Sequence, residues 1–458
     1  VNAKSIGVAT LFVVAGCFSE GDGASAVTTG APGSSGDDTT AGSAPGTSGS
    51  PTSGTGADGT GTSASASTGN DSDSGDTTAG ADACPPAAPD GAPRACGDGI
   101  AGPGELCFAG TLKLDTFAGT GSDLEIVDLN GDDHPDILAA NLSTTSIYAA
   151  GIALGDGEGG FDTFKQVAYD GPVTDVQPMD LDGDEFIDLV LGTESSGMLM
   201  AINDGAANFA VDLMGAVLIG QDPILATADY TSDGLPDILA CARGFPYVDV
   251  YPGDGLGTVQ MDFGRRIDLV DEGPCLAIAV ADLDGNDPID VVVVTLQGQV
   301  QVAYGVASGS TFSVTVADHE LDTDRPLRVA TADVDGDGDV DLATADGSVV
   351  RIYLNEGIAT FTEVQSLPAA PEGARDLIIA DFDRDTRLDL AVSMWSNHTV
   401  RIFQGLGDGN FTPGPEFNMG NNTGPSRIAA GLLNDDCVLD FATANVFDET
   451  VSLRLTSP

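Results

Sequence analysis

Short apolar runs separated by turns organise the chain from residue 109 onward. The runs "ILAAN", "LVLGT", "ILACA", "VVVVT", "LATAD", "LAVSM" and "FATAN" are rich in branched residues. Their length and their bounding turn residues predict buried β-strands. A second strand follows each and ends in a Gly-rich turn before Phe, as in "GDGEGGF" (155–161), "NEGIATF" (355–361) and "LGDGNF" (406–411). Upstream lies a further apolar strand introduced by a Pro turn, as in "GPVTDVQPMD" and "RPLRVATAD". The pattern predicts four strands per unit, and no helical period interrupts it.

Each buried run is entered from an aspartate-rich loop. These are "DLNGDDHPD" (128–136), "DLDGDEFID" (180–188), "DYTSDGLPD" (229–237), "DLDGNDPID" (282–290), "DVDGDGDVD" (333–341), "DFDRDTRLD" (381–389) and the degenerate "LLNDDCVLD" (432–440). Their first positions are 52, 49, 53, 51, 48 and 51 residues apart. Seven units with a period near 50 residues and four strands each predict an all-β fold, a seven-bladed β-propeller. The chain ends at "TVSLRLTSP", the third strand of the last unit, while "TLKLDTF" (111–117) precedes the first complete unit. The early segment is therefore expected to complete the last blade, which removes the open sheet edges.

Carboxylates at loop positions 1, 3, 5 and 9, with Gly at 4 in most copies, suit a hard divalent cation. Calcium accepts many oxygens in flexible geometry, whereas magnesium demands a strict octahedron. An EF-hand is excluded, because Thr344 stands where that template needs a bidentate Glu and strands replace the flanking helices.

The repeated D-x-D-G-D-x-x-x-D core resembles the FG-GAP/VCBS repeat family, which includes the integrin α-subunit head, over 109–458. The resemblance implies calcium ligands Asp128, Asn130, Asp132 and Asp136 in the first loop and Asp180, Asp182, Asp184 and Asp188 in the second. It implies Asp282, Asp284, Asn286 and Asp290 in the fourth, Asp333, Asp335, Asp337 and Asp341 in the fifth, and Asp381, Asp383, Asp385 and Asp389 in the sixth. The third loop keeps Asp229, Asp233 and Asp237 but has Thr231 and Ser232 between them, so weaker binding is expected. The seventh, with Leu432 at position 1 and Asp435 where Gly belongs, is expected to hold no ion. Five to six structural calcium sites follow.

Charge sharpens this picture. With 16 Lys and Arg against 71 Asp and Glu, the formal charge is −55, which repels phosphate backbones and argues against nucleic acid as a partner. The three histidines are widely separated, which disfavours a histidine-based zinc or iron site.

The first 17 residues, "VNAKSIGVATLFVVAGC", carry a positive residue, a short apolar run and small residues before Cys17. "VAGC" resembles a bacterial lipoprotein signal, which implies export and a lipid anchor at Cys17. Phe18 implies outer-membrane rather than inner-membrane retention under the sorting rule of such lipoproteins. Residues 18–82 are Ser, Thr and Gly rich and hold almost no large apolar side chain, so a disordered linker is expected. Residues 83–108 hold Cys84, Cys96 and Cys107, and "CGDGIAGPGELC" resembles a short cysteine-rich repeat of secreted bacterial proteins. Clustered cysteines in an exported chain favour disulfides. Cys241 with Cys275 is one expected pair. Cys107 is expected to pair either with Cys437, leaving Cys84–Cys96, or with Cys96, leaving Cys84–Cys437.

Three functional readings follow. The first is an adhesion-like, calcium-stabilised surface head that binds an extracellular protein or carbohydrate, with turns around Pro172, Pro223, Pro274, Pro326, Gly373 and Pro425 as candidate binding loops. Trp395, the single Trp, is either a sugar-stacking platform or a packing residue. The second is a passive surface scaffold. The third and least favoured is a polysaccharide lyase or hydrolase: no G-x-S-x-G or H-E-x-x-H motif occurs, and carboxylates repeated in six loops do not mark one catalytic cleft.

Overall fold

A continuous apolar run can be buried on both faces only if sheets pack on either side of it, and the repeats meet that demand by stacking. The structure is a computed structural model. It describes residues 106–114, 121–141, 150–169, 171–194, 197–217, 222–242, 245–259, 266–269, 275–285, 289–295, 300–306, 313–319, 328–357, 360–369, 373–434 and 436–456. The segments 1–17 and 18–82, most of 83–108, and Asn286, Pro274 and Pro326 lie outside the described residues.

Each repeat forms one four-stranded antiparallel sheet, and seven such sheets make the propeller. Blade 1, for example, runs through Gly121–Val127, Asp136–Asn141, Ala150–Leu154 and Thr163–Val167, from the inner strand outward. The second strands carry the predicted apolar runs and are buried along their whole length, as in Asp136–Asn141 and Asp188–Thr193. The outer strand Thr163–Val167 is mostly exposed. Apolar clusters span neighbouring blades: Ile152 and Val167 of blade 1 pack with Leu189 and Leu191 of blade 2. Each such fully buried side chain contributes about 1.5–3 kcal/mol of transfer free energy.

Ring closure follows the sequence expectation. Leu112–Leu114 pairs antiparallel with Thr450–Arg454 of the seventh blade, placing Leu112 opposite Leu453 and Leu114 opposite Val451. The Ala109 amide then donates to the Leu455 carbonyl at 2.7 Å. Start and end of the described propeller therefore share one sheet, and opening the ring breaks these bonds.

Cys241 and Cys275 form the expected disulfide, joining the second strand of blade 3 to the inner strand of blade 4. Cys107 and Cys437 are disulfide-bonded as well, and Cys241–Cys275 is the disulfide whose two cysteines are both described. A direct Cys107–Cys437 bond is thus not the closure device. This corrects the first of the two expected pairings.

Candidate metal loops and the opposite face

The loops are built on local sequence. Position 2 is Leu129, Leu181, Tyr230, Leu283, Val334, Phe382 or Leu433, at most 4% exposed in every blade. This apolar anchor sinks the loop into the core and turns the neighbouring carboxylates outward. The backbone is left-handed at position 4 in Gly131, Gly183, Gly285 and Gly336, where glycine carries no steric cost. Ser232 and Arg384 adopt the same conformation in the third and sixth loops, at a cost of about 1–2 kcal/mol each.

The position 1 aspartate organises the turn. Asp333 accepts the amides of Gly336 and Gly338 at 2.7 and 3.0 Å. Asp180 accepts those of Gly183 and Glu185, Asp229 those of Asp233 and Gly234, and Asp381 those of Asp385 and Thr386. Asp128 takes the amides of Asn130, Gly131 and Asp133. Position 5 accepts the amide two residues on, from Asp132 in the first loop to Asp337 in the fifth and Asp385 in the sixth.

Position 9 has a role that the sequence reading assigned only to an ion. Asp136, Asp188, Asp237, Asp290, Asp341, Asp389 and Asp440 are no more than 1% exposed. One oxygen of Asp341 accepts the Val334 amide at 2.9 Å and the other the Asn355 amide at 2.8 Å. Asp136, Asp188, Asp290 and Asp389 repeat this pair of bonds, from position 2 and from the end of the third strand. In the third loop Asp237 takes Thr231 and Gly253 instead. The aspartate therefore ties the loop to its own blade. Chain approach is close here: a Cβ on Gly405 would lie 2.0 Å from the Leu388 carbonyl oxygen, which explains glycine at that position. Asn203 and Asn355 occupy the equivalent site, and each amide side chain donates to its own loop and to the loop of the preceding blade.

Three carboxylates converge closely enough to share one ion in four loops: Asp180, Asp182 and Asp188; Asp282, Asp284 and Asp290; Asp333, Asp335 and Asp341; and Asp381, Asp383 and Asp385. In the sixth loop Asp389 stands outside the triplet, and Asp385 is ion-paired with Arg387. The first and third loops bring no such triplet together among the described residues, although Asp128, Asp132, Asp136, Asp229, Asp233 and Asp237 all take part in loop hydrogen bonds. Asp184 and Asp337 lie outside the triplets as well, each holding the amide at position 7.

Burial is the main reason that Asp188, Asp290 and Asp341 are each pushed up to about 6, with the neighbouring loop carboxylates adding to it. Asp389 is pushed up to about 8, first by burial. A cation among these oxygens relieves the repulsion. An all-oxygen donor set at flexible positions fits calcium.

Residues 333–392 and 381–443 match the model of the FG-GAP-like repeat. Residues 333–443 thus carry FG-GAP-like repeats, within a seven-bladed β-propeller. No curated protein matches it. Among solved structures, BBS1N in complex with ARL6DN is similar at 10% identity with a TM-score of 0.53, over 77% of this chain and 97% of that one. Raptor of Chaetomium thermophilum is similar at 11% identity with a TM-score of 0.50, over 77% of this chain, which spans only 29% of Raptor. A lectin of Agrocybe aegerita described as recognising non-reducing terminal N-acetylglucosamine gives 20% identity and a TM-score of 0.45, over 75% of this chain and 87% of that one. Likeness at these identities is likeness of fold alone.

The seventh loop separates the backbone-bonding role of position 9 from ion ligation. Position 1 is Leu432, so the ion set is incomplete. Asp440 nevertheless accepts the Leu433 amide at 2.8 Å, the Thr456 amide at 2.6 Å and the Thr456 hydroxyl at 2.9 Å.

Trp395 lies at the other end of the second strand of blade 6 from the metal loop, hence on the opposite face. Its ring packs 4.9 Å from Phe447 of blade 7, and the exposed Arg375 guanidinium sits 4.4 Å above it. Phe447 remains 43% exposed, so the pair is a surface platform as well as an inter-blade contact. His398 fixes its edge by accepting the Gly424 amide at Nδ1.

Proposed function

We propose that this chain is an exported, lipid-anchored surface protein whose calcium-stabilised FG-GAP propeller binds an extracellular protein or glycan. The observation that carries this reading is the division of labour between faces. Loop carboxylates occupy one face, while Phe447 and Arg375 are exposed on the other, packed against the half-buried Trp395. Aromatic rings with an adjacent cation suit the apolar face and polar rim of a sugar or peptide. Calcium acts here as a structural staple: the carboxylate triplets recur around the ring, which favours binding over catalysis. The lipoprotein-like "VAGC" supports export and an anchor at Cys17, and the intervening linker supports a head held away from an outer-membrane surface.

The test is an array of glycans and extracellular proteins, probed with the calcium-loaded protein and with Trp395→Ala. Binding that falls at least about tenfold in the variant, as for a truncated hot-spot aromatic, supports the reading. Silence across the array, or binding indifferent to Trp395, favours a passive scaffold or another face.

A further inference from the structure

The inner strands of all seven blades line a cavity of about 80 Å³ on the propeller axis. Five residues before each loop the ring reads Asp123, Asp175, Ile224, Ala277, Arg328, Asp376 and Arg427. Its aspartates bridge blades: Asp123 accepts the Val176 amide at 3.0 Å, Asp175 the Leu225 amide at 3.4 Å and Asp376 the Ile428 amide at 3.1 Å. Arg427 lies 3.5 Å from Asp123, and Arg328 lies 3.6 Å from Asp376.

Glu125, two residues beyond Asp123, faces the same cavity. Among the described residues its carboxylate has no hydrogen-bond or ion-pair partner, while Asp123, Asp175 and Asp376 repel it. Four carboxylates thus face two guanidiniums around one axial cavity, an excess of two negative charges. Blades 3 and 4 line the cavity with apolar residues and add no charge. Among the described residues, the carboxylate triplets close enough to share an ion lie in the loops, not here. The ligand that fits this cluster is a proton.

We propose that the axial cavity is a proton-operated clamp, in which Glu125 holds a proton in the closed ring and ring stability is thereby coupled to pH. Ionised Glu125 would repel the same aspartates that bond blade 1 to blade 2 and blade 2 to blade 3. Protonation removes that repulsion and leaves the bridging bonds intact.

Burial, then Asp123, Asp175 and Asp376, push Glu125 well above the usual carboxylate range, and burial with Asp123 pushes Asp175 up to about 7. Arg328 is held down to about 10 by burial and by Arg427, and Asp376 is raised by burial against the pull of both arginines. For a raised acid the folded chain binds a proton that the unfolded chain releases. The stability these acids contribute is therefore complete below the ordinary carboxylate range and is lost as pH rises through about 7. Each proton so released lowers the folding constant by up to about tenfold per pH unit.

The test is thermal denaturation of the full chain at saturating calcium, from about pH 6 to about pH 9, for wild type and Glu125→Gln. The wild-type melting temperature should fall with pH more steeply than that of the variant, and the variant should be the more stable above neutrality. Other raised acids such as Asp440 act equally in both proteins, so parallel curves overturn the proposal. Infrared spectra of wild type labelled with carboxyl-13C glutamate give a second readout that does not depend on the variant folding. A protonated glutamic acid band at neutral pH supports the clamp, and a fully ionised glutamate population overturns it.

Discussion

Asp440→Ala is expected to destabilise the propeller by about 2–6 kcal/mol, to the same extent in calcium and in chelator. Asp440 takes two backbone amides and one hydroxyl, all in the buried base of blade 7. Each buried donor left unpaired costs about 1–3 kcal/mol. Blade 7 is also the closing blade, where Leu112–Leu114 is zipped onto Thr450–Arg454, so loss of its loop loosens the ring seam. Asp341→Ala removes the analogous pair of bonds and an ion ligand together. It should therefore cost more in calcium than in chelator. Urea denaturation of the two variants under both conditions measures the difference. A neutral Asp440→Ala would show that position 9 serves the ion alone.

Removing the Cys241–Cys275 disulfide, by Cys241→Ala with Cys275→Ala, is expected to cost about 3–4 kcal/mol, from loop-closure entropy over a separation of 34 residues. The bond crosses one particular junction. At the axis, Asp123, Asp175 and Asp376 link blade 1 to 2, 2 to 3 and 6 to 7. Arg328 links blade 5 to blade 4 through the Leu276 carbonyl and to blade 6 through Asp376. Ser426 links blade 7 to blade 1 by donating to the Gly121 carbonyl. Between blades 3 and 4 the ring places Ile224 and Ala277, which offer no such side-chain link, and there the disulfide sits. Denaturant unfolding of the oxidised wild type and the double variant measures this cost. Equal stability would mean that apolar packing alone holds the junction.

The architecture was legible because each repeat states the same local rules: an aspartate loop, a continuous apolar run, a Gly turn. Even closure was visible, since a lone "TLKL" before the first unit has no other sheet to join. The double role of position 9 was less visible. A buried aspartate bonded by two amides and one that ligates an ion leave the same letter in the sequence, and only the ion-incomplete seventh loop tells them apart. The apolar anchor at position 2 was present as Leu, Leu, Tyr, Leu, Val, Phe and Leu, but it was masked by the acids on either side. The axial ring was the least visible. It takes one residue from each repeat, and Asp123 meets Arg427 only because the chain closes on itself. The cysteines follow the same logic: Cys437 sits at position 6 of its loop with φ at 64°, a detail of backbone shape that spacing does not reveal.

The most direct test of the calcium-stapled propeller is to count bound calcium and follow melting in the same preparation, before and after chelation. Four tightly held ions are expected, in the loops beginning at Asp180, Asp282, Asp333 and Asp381, with weaker binding in those beginning at Asp128 and Asp229. Each site filled at about a hundredfold above its dissociation constant adds about 2.7 kcal/mol, so chelation should lower the melting temperature by more than about 10 °C. A protein that binds no calcium, or whose melting temperature is unchanged by chelator, would contradict the account.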